Sequence, residues 1–84
     1  MKASPDLIRQ WQQVPQAQVS VIVHVQGDPR QYAGAIGRLG LSVIRAFRLT
    51  NTIAAHGLAR CALDLLNESW VRKVEPDQTI TTMA

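Results

Sequence analysis

The sequence predicts an α+β domain in which a four-stranded antiparallel sheet carries two helices on one face, behind a short N-terminal extension. Three observations predict it. QVSVIVHVQ and LSVIRAFRL alternate with the period of two that marks a half-buried strand, and the first is rich in β-branched residues. Two stretches, from Pro29 to Leu39 and from Arg60 to Glu68, carry apolar residues at helical spacing. The order of segments is strand, helix, strand, strand, helix, strand, the split βαβ arrangement called ferredoxin-like (βαββαβ).

Each element has its own signal. Ser4-Pro5-Asp6 reads as a helix start, with a cap, a proline at the first helical position and an acid near the positive end. Leu7, Ile8 and Trp11 would share one face of a short helix ending before Pro15. In the first strand Val19, Val21, Val23 and Val25 alternate with Ser20, Ile22, His24 and Gln26. Asp28-Pro29 opens a helix with Tyr32, Ala35, Ile36 and Leu39 on one side and Gly40 as its stop. Gly34 and Gly37 inside it are expected to let the helix lie close to the sheet. In the second strand Leu41, Val43, Phe47 and Leu49 fall on one face, with Arg45 the exception. Thr50-Asn51 is a turn signal, TIAAHGLA a third strand, and Ala62, Leu63, Leu65 and Leu66 the buried side of the second sheet-covering helix. WVRKV closes the series before Pro76. The expected core is Val21, Val23, Ile36, Leu39, Val43, Phe47, Leu63, Leu66 and Val74.

At 84 residues the chain is one small domain. A 46% hydrophobic and 18% charged composition is globular. The expected division is an extension over residues 1–17, the folded domain over 18–77 and an extended tail over 78–84. Cys61 stands alone, so no internal disulfide staples the fold. No apolar run is long enough to span a membrane, and residues 1–17 lack the apolar stretch of a signal peptide. The expectation is a soluble chain, monomeric when free, with its compartment open. It is intracellular or already processed.

The chemistry-bearing residues exclude more than they suggest. His24, His56 and Cys61 are the only soft metal ligands and fall in no ligand spacing. Cys61 lacks the base and orienting group of a nucleophile and reads as a buried thiol. No catalytic carboxylate pair, Ser-His-Asp set or phosphate loop stands out, so neither an enzyme nor a cofactor is expected. Gly37-Arg38-Leu39-Gly40 superficially resembles the GXXG loop of KH domains, but SVIRAFRLT behind it suits a strand where that reading needs a helix. The net charge of +3 fits an acidic partner surface or weak nucleic-acid affinity without demanding either. The strands QVSVIVHVQ and TIAAHGLA lack the aromatics of a nucleic-acid platform.

The terminal WVRKVEPDQTITTMA is harder to explain as filler, because Thr79, Ile80, Thr81 and Thr82 favour an extended backbone that could add a strand to another protein. The run Val71-Arg72-Lys73-Val74-Glu75-Pro76-Asp77 resembles the closing signature, V-x-x-V-E-x-D, of subtilisin propeptides and the stand-alone inhibitors similar to them. VIVHV resembles the family's first strand, Gly40 to Phe47 its second, Ile53 to Leu58 its third, and the Leu63–Leu66 segment its second helix. The resemblance covers about residues 19 to 83. Residues 1–17 have no clear counterpart in it, and Pro76 stands where the family commonly has an acidic or polar residue.

The resemblance implies a partner, a subtilisin-like serine protease, and a mechanism, occlusion of its active-site cleft. The sheet would pack on two surface helices of the enzyme. Glu75 and Asp77 match acidic positions that accept hydrogen bonds at helix N-termini, where orphan N–H groups favour an anion. Residues Thr79, Ile80, Thr81, Thr82, Met83 and Ala84 would lie along the substrate-binding strands. One register places Met83 before the scissile position and Ile80 in a second apolar pocket. The other ends the segment at Ala84 with Thr81 in that pocket. The first is preferred, since Ile80 offers more apolar area. Assistance of protease folding follows from the same contacts. The alternative from another class is a ferredoxin-like regulatory or small-ligand module, with KH-like nucleic-acid binding behind it.

Overall fold

The computed structural model describes residues 2–77. Helix α1 spans Pro5–Gln13, and the Ser4 hydroxyl accepts from the Leu7 N–H to cap it. Strand β1 (Gln18–Val25) is followed by a 3-10 turn at Pro29–Gln31 and helix α2 (Ala33–Arg38). The hairpin β2 (Ser42–Phe47) and β3 (Thr52–Leu58) leads to α3 (Ala59–Leu65) and β4 (Val71–Pro76). The four strands form one sheet in the order β2-β3-β1-β4, every neighbouring pair antiparallel. The fold is therefore α+β with a four-stranded antiparallel sheet.

One face of the sheet builds the core. Val21, Val23 and Val25 of β1 gather with Ile53 and Ala55 of β3, Val71 and Val74 of β4, Ile36 of α2 and Ala59, Cys61, Ala62 and Leu65 of α3. These side chains are short, and burial of each larger one contributes about 1.5–3 kcal/mol. Helix α1 packs against α3, and its Trp11 enters the same core at 3% exposure. The connector behind α1 also serves α3, which has no side-chain cap. The C=O groups of Pro15 and Ala17 accept from the N–H groups of Arg60 and Ala59, at 2.9 and 2.8 Å. On the outer edge of β4, the Val74 N–H donates to the Lys2 C=O at 2.7 Å. Residues 2–17 are thus tied into the domain along both β4 and α3.

Several expectations need correction. Phe47 is 39% exposed and outside the core, and Leu49 is fully exposed. The cause is a β-bulge between Val43 and Arg45: one extra residue in β2 reverses which side chains face inward, so Ala46 rather than Phe47 packs on the core. Leu39, Val43, Leu63 and Leu66 are half-buried at the core margin, while Val25, Leu41, Ile53, Leu65 and Val71 carry the deep burial. Gly34 and Gly37 face open space, so they do not bring α2 closer to the sheet. The close approach lies elsewhere. A Cβ on Gly57 would fall 2.6 Å from Leu41 Cδ2, and one on Gly40, at φ +103°, would fall 2.8 Å from Cys61 Sγ.

Candidate functional site

Among the described residues no helix of the core lies on the second face of the sheet, and the strand register sorts its residues into rows. Phe47, Thr52, His24 and Lys73 lie side by side across the four strands. The next row is Arg45, Ala54, Ile22 and Glu75, and the third is Ser42, His56 and Ser20. Asp77 joins that third row through its N–H, which donates to the Ser20 C=O at 2.9 Å. The β1–β4 ladder therefore continues to the last described residue.

A second bulge shapes this face. Val71 pairs with Val25 and Lys73 with His24, leaving Arg72 as the extra residue on β4. Arg72 and Lys73 are both exposed. They line a cleft of about 380 Å³ with His24, Val25, Thr50 and Asn51. Asn51 holds the adjoining hairpin turn at φ +54°, a left-handed conformation that asparagine tolerates. Arg45 lies over the Phe47 ring at 6.0 Å, and Ile44, the residue passed over by the β2 bulge, is 62% exposed.

Glu75 sits at the centre of the polar network. Its Oε1 is 2.7 Å from His24 Nε2, and its Oε2 accepts from Lys73 Nζ at 3.2 Å. The hydrogen bond to His24, then that to Lys73, holds the Glu75 carboxyl below the ordinary glutamate range. It is an anion at neutral pH, half-exposed and fixed in place. Asp77 is half-buried two residues further on. Glu75 thus lies in the middle row with Arg45, one row from its partner Lys73, and Asp77 lies one row beyond it.

The remaining residues expected to bind a protease, Thr79, Ile80, Thr81, Thr82, Met83 and Ala84, lie outside the described residues. His24, Lys73, Arg45 and Phe47 did not stand out as site residues in the sequence. The signal available was the period of two, which places Ser20, Ile22 and His24 together on the side of β1 away from Val21 and Val23. Cys61 is a buried free thiol behind Gly40. Among the described residues no group of three or more His, Cys, Asp or Glu side chains gathers as a metal site would. No protein-family profile matches the chain, and no curated protein matches it.

Proposed function

We propose that this chain inhibits subtilisin-like serine proteases from a ferredoxin-like βαββαβ domain, laying residues 78–84 in the active-site cleft. One observation supports the reading above the rest. The hydrogen bond from Asp77 to Ser20 keeps the backbone in the ladder up to the residue that precedes this segment. The segment then starts from a fixed point beside the open sheet face and the Glu75 carboxylate. A fixed start lowers the ordering cost of binding. The domain performs no chemistry of its own. It competes with substrate by pairing an extended backbone with the enzyme's strands while Ile80 and Met83 fill pockets.

The test is inhibition of a bacterial subtilisin by the intact chain and by a form lacking residues 80–84. The shortened form is expected to keep the same thermal unfolding transition. Its inhibition should weaken by a factor of roughly 100 or more, since Ile80 burial alone contributes about 1.5–3 kcal/mol and strand pairing is lost with it. Equal inhibition by both forms would make the segment a bystander and end the reading.

A further inference from the structure

The register of the β1–β4 ladder points past its last described rung. Val74 pairs with Val23 and Pro76 with Val21, and the Asp77 N–H donates to the Ser20 C=O at 2.9 Å. Bonded and non-bonded pairs alternate along an antiparallel ladder, so Ser20 and Asp77 belong to a bonded pair and Val21 and Pro76 to a non-bonded one. A proline there leaves the ladder intact, since an N–H at that position would face away from β1, as the Val74 N–H does in reaching Lys2. The next bonded position on β1 is Gln18. It pairs with Leu58 of β3 on one side and has no β4 partner on the other among the described residues.

An apolar groove of about 320 Å³ lies at this open position. Leu7, Trp11 and Val14 line it from α1 and its end, Ala17 and Val19 from β1 and the residue before it, and Pro76 from β4. Val14 is 50% exposed, whereas Leu7, Trp11 and Val19 belong to the core or pack against it. The backbone here is fixed, because the Ala17 N–H donates to the Val14 C=O at 3.0 Å and the Ala17 C=O accepts from Ala59. Val74 and Pro76 share the core face with Val23 and Val21, so alternation assigns residues 78 and 80 to that face as well. The same register sets Thr79 against Gln18 and Ile80 against Ala17, at the groove.

We propose that this groove is the seat of Ile80 in the free protein, with Thr79 pairing to Gln18 and the Ile80 side chain covering Leu7, Val14 and Ala17. The occupant is a segment of this chain because the groove borders Pro76, one residue before the last rung, and Ile80 is the first large apolar side chain beyond it. A side chain tethered this close presents itself at an effective concentration that a diffusing partner does not reach. The seat acts as a latch. The Ile80 that enters a protease pocket must first leave the groove, so only the released fraction binds and the apparent affinity falls by that fraction. Opening the latch therefore strengthens inhibition, where damage to the fold would weaken it. This consequence rests on the inhibitor reading; the seat itself does not.

The experiment uses the intact chain, Val14→Asn, which removes the exposed apolar wall without changing charge, and Gln12→Asn, an exposed control on the same helix and off the groove. In the intact chain, NMR is expected to show nuclear Overhauser contacts from the Ile80 methyls to those of Val14 and Leu7, with slowed amide exchange at Thr79. Val14→Asn should lose the Leu7 contacts and the slowed exchange while keeping a cooperative unfolding curve. It should inhibit a bacterial subtilisin about 3-fold or more tighter than the parent, with Gln12→Asn within about 1.5-fold. An intact chain without these contacts overturns the proposal. So does a folded Val14→Asn that inhibits no better than an inhibitory parent. Contacts found only between differently labelled copies would give the groove to a second chain and overturn it too. Contacts in a parent that fails to inhibit would end the inhibitor reading and leave the seat standing.

Discussion

At Gly57 the β3 backbone runs against Leu41 and Gly40. An added Cβ would meet Leu41 Cδ2 at 2.6 Å, the Gly40 carbonyl oxygen at 3.2 Å and Leu41 Cα at 3.3 Å. The first contact can swing away, but the other two are main chain. Gly57→Ala is expected to cost about 1–3 kcal/mol through overpacking, read as a lower urea midpoint with an unchanged slope. An unaltered midpoint would mean that the hairpin yields without penalty. Glu75 makes a different prediction. Its folded pKa is depressed by its hydrogen bonds to His24 and Lys73, so these contacts stabilise the fold above the ordinary glutamate value, and that contribution disappears as pH falls through the lower, folded value. Glu75→Gln should therefore flatten the acid limb of the stability profile in that window. It should also weaken protease inhibition at neutral pH. Urea titrations across pH check the first effect, and an unchanged acid limb would show that the pairs with His24 and Lys73 contribute nothing in solution.

Among the elements, α1 shows how much the N-terminal segment carries. Trp11→Ala is expected to destabilise the domain by about 3–5 kcal/mol, because removing a buried indole leaves a cavity in the core. Equilibrium unfolding measures this, and a loss under about 1 kcal/mol would place α1 outside the cooperative unit. The helix starts were legible in the sequence because they are local: Ser4 and Asp28 accept from N–H groups two or three residues on, and Gly40 takes the left-handed conformation a helix stop needs. The β2 bulge was not legible, since an alternating sequence reads the same with or without one extra residue in the pairing. Alternation alone therefore predicts Phe47 on the inner face. The candidate site divides similarly. Glu75 and Asp77 enter the candidate site only as what the resemblance implies, whereas the contact between His24 and Glu75 depends on a β1–β4 register fixed by residues 51 positions apart. The stack of Tyr32 on Trp70, with rings 4.5 Å apart, is likewise a product of tertiary packing.

For the whole molecule, the placement of β4 has a mechanical meaning. On one side it is hydrogen-bonded along its length to β1, and on the other Val74 is bonded to Lys2. A pull along the strand axis from beyond Asp77 loads these bonds in shear, all at once, instead of opening them in sequence from one end. Strand pairs resist shear far better than peeling, because no single bond bears the whole force. In the inhibition proposed above, a protease gripping the chain beyond Asp77 would draw on a stiff anchor.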